Sequence, residues 1–220
     1  MNQELELTPL KFGNFSLKIS KEEKYLGQVL HEDGPAASVA ATVGGRAGRF
    51  KGACFEIKSV IEEFSMQSLG GMIAAKTLLE RALLPSLLHG SGNWIRMTRK
   101  TEDVCDELIY LFWRVMLKVP ESTPKVALIS ETATMRTKWR VWQEKLFVIK
   151  RLQKQKVASM SRMVYEQQVQ LGWPGLAEEG KQICNTLGLQ DINLFNRGGR
   201  RHTISNFPIF SNCKLILSQI

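Results

Sequence analysis

Leu10 and Phe12, then Phe15, Leu17 and Ile19, alternate with other residues on either side of Gly13-Asn14. A period of two around a two-residue Gly-Asn link predicts a β-hairpin. A third short strand is expected from Tyr25 to Leu30, closed by the turn pair Asp33-Gly34. From there the period changes to that of helices. Residues 38–63 carry apolar positions at helical spacing but include Gly44, Gly45, Gly48 and Gly52, each costing up to ~1 kcal/mol against Ala inside a helix. A second helix is expected over 68–84, stopped by Pro85.

Thr101 reads as an N-cap with Glu102 and Asp103 in the first turn, and Val104, Leu108, Leu111, Phe112 and Val115 as the buried stripe of a helix ended by Pro120. Thr123-Pro124 opens the next helical region. Met135, Trp139, Trp142, Leu146 and Ile149 then recur at steps of three or four and predict a helix reaching Gln155. Further helices are expected over 157–171, broken by Gly172-Trp173-Pro174, and over 176–187, stopped by Gly188. The expected fold is mainly α: a helical bundle preceded by a small β-hairpin and short strands. Its parts are a β segment over 1–34, helices over 35–120, a second helical region over 121–192, and a disordered tail over 193–220.

Charge changes this picture at one place. The 220-residue chain carries a formal net charge of +9. Residues 1–135 hold 16 basic and 16 acidic side chains, whereas residues 136–163 hold nine basic residues and one acidic residue, Glu144. At 100° per residue, Arg136, Arg140, Lys150, Arg151 and Lys154 fall on a different side of the helix from the Trp139-Trp142-Leu146-Ile149 stripe. The ordinary reading of such a run is a solvated face. Solvated faces, however, usually alternate Lys with Glu to gain i,i+4 pairs, and here the positive charges lack local partners. Phosphates would neutralise them. The competing reading is an interaction module that docks a partner protein or an anionic membrane through this basic amphipathic helix.

Candidate chemistry is sparse. The aspartates Asp33, Asp103, Asp106 and Asp191 form no adjacent pair for a two-metal centre. His31, His89 and His202 stand alone, the four cysteines form no C-x-x-C pair, and Gly44-Gly45-Arg46-Ala47-Gly48 matches no phosphate-loop pattern. No catalytic residue, metal site or cofactor is expected. The scattered cysteines, the lack of a leader-like start and the absence of any run of about 18 apolar residues suggest an intracellular protein, cytoplasmic or nuclear, without a transmembrane segment.

Three ordered segments nevertheless resemble one family. Lys24-Tyr25-Leu26-Gly27 with Val29-Leu30 and Asp33-Gly34 looks like the palm-to-thumb junction of reverse transcriptases of non-LTR (LINE-type) retrotransposons. Ala82-Leu83-Leu84-Pro85-Ser86-Leu87-Leu88-His89-Gly90-Ser91-Gly92-Asn93-Trp94 resembles the family's A-x-L-P-x-L-L-Y-x-x-E-T-W segment, and Val119-Pro120-Glu121-Ser122-Thr123-Pro124 a later stretch. Residues 171–189, with Trp173-Pro174-Gly175-Leu176 and Glu178-Glu179, look like the region after the thumb. His89 stands where the family usually has Tyr, and Ser91-Gly92-Asn93 replaces a residue followed by Glu-Thr.

The resemblance implies that Phe12, Gly13 and Asn14 occupy the place of the primer-grip hairpin and Tyr25, Leu26 and Gly27 that of the junction. Residues 35–120 would be thumb-like, with Arg46, Arg49, Lys51 and Lys58 candidates for contact with the nucleic-acid backbone. It also implies that fingers and catalytic palm lie upstream of Met1. The chain would then be a truncated piece that polymerises nothing alone. Its partners would be an RNA or RNA-DNA backbone and the missing palm and fingers of a full-length copy.

Overall fold

Lys11–Phe12 (β1) and Phe15–Ser16 (β2) pair antiparallel, with Phe12 opposite Phe15. The computed structural model describes residues 11–12, 15–16, 20–61 and 68–188. Gly13-Asn14 and the tail expected over 193–220 lie outside the described residues. A second antiparallel hairpin joins Glu22–Tyr25 (β3) to Gln28–His31 (β4), with Tyr25 opposite Gln28. The stretch 25–30 is therefore not one strand, because a two-residue turn sits inside it. Leu26 and Gly27 have φ of 48° and 79°, the left-handed pair that matches the twist of a hairpin. Leu26 is not a turn-forming residue, so composition concealed the turn.

Helix α1 (Pro35–Ile61) lies along β4. Its Ser38 and Thr42 hydroxyls accept from the backbone N–H groups of His31 (2.9 Å) and Val29 (2.8 Å), satisfying donors a two-stranded ribbon leaves open. Helix α2 (Leu69–Leu78) is capped by Ser68, which accepts from Gly71 N–H. It does not stop at Pro85. It widens into a π-turn over Leu79–Leu83 and continues as α3 (Leu84–Leu87), with Leu84 N–H donating to Leu79 O. The five-residue turn and the position of Pro85 in the first turn of α3 accommodate a ring that would clash in a regular helix. Gly90, with φ of 74°, ends the segment and leads into a 3₁₀ turn at Ser91–Asn93.

Helix α4 (Arg99–Leu117) is capped by Thr98, three residues before the expected cap; its hydroxyl accepts from Thr101 N–H. The buried stripe is Cys105, Leu108, Ile109, Phe112, Trp113 and Met116, while Val104 is exposed. Residues 108–113 are apolar on nearly every side, so packing against α1 selects the face. Helices α5 (Lys125–Thr132), α6 (Thr137–Lys154), α7 (Met160–Leu171) and α8 (Leu176–Thr186) follow close to the positions their periodicity predicts. The protein is mainly α with short hairpins at its start.

One core joins Val39, Val43, Phe50 and Cys54 of α1 to Leu79, Leu83, Leu84 and Leu87, to the α4 stripe, and to Leu128 and Val141. Two smaller clusters fasten α6 to the last helices: Leu146 with Ile183 and Cys184, and Ile149 with Tyr165 and Ala177. The four glycines of α1 lie on its exposed side, and a Cβ built on any of them meets nothing within 4 Å. They weaken the helix without serving a close contact. Gly45→Ala/Gly48→Ala is therefore expected to raise the unfolding free energy by about 1–2 kcal/mol, read by urea denaturation. An unchanged midpoint would mean that these glycines cost the folded helix nothing.

Candidate nucleic-acid interface

The basic residues proposed from sequence divide sharply once their surroundings are known. Arg46 is not available to a ligand. It is 6% exposed, and its Nη1 donates to Leu87 O (2.9 Å) and His89 O (2.8 Å) while Nη2 donates to Gly27 O (2.7 Å). Its guanidinium also lies 5.8 Å from the Trp94 ring centroid. Burial, with Arg49 nearby, pushes its pKa down. The side chain staples the β3–β4 turn and the end of α3 to α1; it does not position phosphate.

Arg49 and Lys51 are exposed, but two helical steps separate them by about 160° around α1, so one strand cannot be met by both. Lys58 sits half-buried in the last turn of α1. Of the residues placed at the family's junction, Tyr25 and Leu26 are exposed at the β3–β4 tip, and Gly27 offers its carbonyl to Arg46. The side chain of Phe12 lies outside the described residues.

On α6 the excess charge is less bare than its sequence suggests. Arg136 Nε bonds Asp106 Oδ2 at 3.0 Å, and Arg140 Nη2 bonds Glu80 Oε1 at 3.2 Å. The buried ammonium of Lys145 pairs with Glu179, and Arg162 pairs with Glu166 at 2.7 Å. Lys138 lies 4.7 Å from the Trp142 ring centroid. Three of the four acids stand 30, 34 and 60 residues from their partners, beyond the reach of a local pattern. Trp139 and Trp142 meet edge to face at 5.2 Å, and Trp142 packs on the Leu146 cluster. Trp142 is thereby held against the fold, and both rings are half-buried.

What remains is the C-terminal half of α6. Arg151, Lys154 and Lys156 are exposed and join no ion pair among the described residues, and Lys150 is half-buried beside them. Phe147, 42% exposed, falls on the same side, four residues before Arg151. Sequence reasoning missed Phe147 and Lys156; a wheel of the basic face would have shown a ring set among cations. Beside this face the Ser91–Asn93 turn packs on α6 and forms with it a half-open pocket of about 410 Å³ lined by Gly90, Ser91, Gly92, Asn93, Glu144, Phe147, Val148 and Arg151.

Burial pushes the thiols of Cys54 and Cys105 up to about 12, so neither supplies a thiolate at neutral pH. Among the described residues, no three His, Cys, Asp or Glu residues come together to hold a metal ion, and no helix is long and apolar enough to cross a membrane. The sequence matches no protein-family model, and comparison with curated proteins and with solved structures finds no similar chain.

Proposed function

We propose that this chain binds the sugar-phosphate backbone of RNA or of an RNA-DNA duplex and carries out no reaction on it, as a thumb and post-thumb portion of a non-LTR retrotransposon reverse transcriptase. The observation that carries the binding is the uncompensated cationic end of α6, where Arg151, Lys154 and Lys156 meet no acid among the described residues. Self-repulsion there is relieved when the cations neutralise phosphates, which releases the counterions condensed on the polyanion. An aromatic ring within the same face suits a single strand, whose unpaired bases stack. The family assignment is supported by the ordered motifs at 24–34, 82–94 and 119–124.

Gel shifts with an unstructured RNA should show affinity falling with salt, log K dropping by about 0.7 per phosphate contact against log salt. Arg151→Glu/Lys154→Glu/Lys156→Glu should shallow that slope by about two and abolish binding at physiological salt. An unchanged slope would sink the assignment. Extension of a primed template by the isolated chain with Mg²⁺ would overturn the non-enzymatic reading.

A second reading has its own observation. Met160, Met163, Val164 and Leu171 form an exposed apolar stripe along α7, with Trp173 exposed beyond it. Such a face suits a partner protein or an anionic membrane. Co-sedimentation with anionic vesicles, undiminished in the triple reversal above and lost in Met160→Ser/Leu171→Ser, would favour it over RNA binding.

A further inference from the structure

We infer that the cavity between α6 and the Gly90–Asn93 turn holds one unpaired guanine nucleotide, its phosphate against Arg151 and its base edge against Glu144. The inference rests on the nucleic-acid reading above and names the unit recognised.

The walls are built to stay in place. A Cβ on Gly92 would stand 2.6 Å from Val148 Cγ2 and 3.0 Å from Glu144 O, so only glycine lets the turn lie directly on α6. Gly90 has φ of 74°, and a Cβ there would stand 2.3 Å from Gln28 Nε2. Arg46 holds the carbonyls of Leu87 and His89, fixing the chain just before the turn. Inside this frame the Ser91 hydroxyl is buried and has no hydrogen-bond partner among the described residues.

Along α6 the lining residues are Glu144, Phe147, Val148 and Arg151, at i, i+3, i+4 and i+7 on one side of the helix. Glu144 and Arg151 are separated by two turns, about 10.5 Å of rise, the extent of one nucleotide from base edge to phosphate. The acid at one end and the cation at the other set the direction of the ligand. Phe147 between them offers a ring for the base. An ionised carboxylate only accepts. Guanine presents two adjacent donors, N1–H and the N2 amine, to its two oxygens. Adenine and cytosine each place a ring acceptor beside their amine, and uracil flanks its single N–H with two carbonyls.

Calorimetric titration of the full chain at low salt with guanosine monophosphate and uridine monophosphate tests this. Guanosine monophosphate should saturate and bind at least about tenfold tighter than uridine monophosphate. Phe147→Ala should weaken it about tenfold, the loss of one stacking contact. Glu144→Gln should erase the preference for guanine. Absence of guanosine monophosphate binding at millimolar concentration, equal affinity for the two nucleotides, or indifference to Phe147→Ala would overturn the inference. The two readings separate through Lys154→Glu/Lys156→Glu, which lies outside the cavity. If that double variant loses RNA while neither nucleotide binds the unmodified chain, the backbone reading stands and the guanine site fails; if guanosine monophosphate binds and RNA does not, only the backbone reading fails.

Discussion

Replacing Arg46 with alanine is expected to lower the unfolding free energy by about 3 kcal/mol, making it among the most damaging single changes in the chain. Three carbonyls, those of Gly27, Leu87 and His89, depend on this one guanidinium. Hydrogen bonds from charged donors contribute about 1.5–3 kcal/mol each, and a buried acceptor left open costs about 1–3 kcal/mol. The sum is reduced because the guanidinium is itself poorly solvated, as its lowered pKa records. The end of the α2–α3 helical segment supplies part of the compensation, since helix C-termini carry partial negative charge. Arg46→Lys keeps the charge, but a single ammonium cannot span three carbonyls on two elements, so it should recover less than half of the loss. Chemical denaturation gives the magnitudes. Hydrogen exchange should show the β3–β4 amides losing protection first, because Gly27 is released from α1. A loss below about 1 kcal/mol for Arg46→Ala would mean that the staple is not formed.

The second large effect is expected at Asp106. This buried carboxylate on α4 accepts from the backbone N–H of Thr137 through Oδ1 at 2.8 Å and from Arg136 Nε through Oδ2 at 3.0 Å. Arg136, the N-cap of α6, makes no side-chain cap bond of its own, so the cap comes from another helix. Asp106→Ala strands the N–H of fully buried Thr137 and removes a negative charge from the start of α6, costing about 3 kcal/mol. Asp106→Asn keeps an acceptor for Thr137 and loses the ion pair. The Arg136 side chain is 55% exposed, so that pair contributes below about 1 kcal/mol once solvent screening is counted. The asparagine variant should therefore retain most of the stability. Equal losses in the two variants would shift the weight from the cap to the ion pair, and a double-mutant cycle with Arg136→Ala would show a coupling well above 1 kcal/mol.

Both effects bear on how far the chain could be read from its sequence. Helices α6, α7 and α8 were legible within about three residues at either end, because hydrophobic period and terminal Gly or Ser residues act over one or two turns. The concentration of positive charge between 136 and 163 was also plain. Pro85 and the Leu26-Gly27 turn were misread for a shared reason: each is a local exception whose strain is absorbed by neighbours, a π-turn in one case and a glycine beside an exposed leucine in the other. The buried side of α4 was displaced because apolar residues surround most of that helix and only the partner decides which of them it covers.

The candidate site was legible only in outline. The count of charges singled out α6, but the fate of most of those charges depended on acids far away in the chain. Arg136, Arg140 and Lys145 find Asp106, Glu80 and Glu179, and the cationic face contracts to Arg151, Lys154 and Lys156 with Lys150 beside them. Arg46, which the family resemblance placed among the candidate ligand-binding cations, is consumed by backbone carbonyls up to 43 residues away. Phe147 gains meaning only beside the Gly90–Asn93 turn.

Sequence alone thus determined the mainly helical class, most helix spans and the stretch on which the charge is concentrated, since period, capping and composition are properties of neighbours in the chain. Tertiary structure decided which charges remain for a partner and where a cavity opens. Burial and pairing depend on groups brought together across tens of residues, and no local pattern encodes which of them will meet.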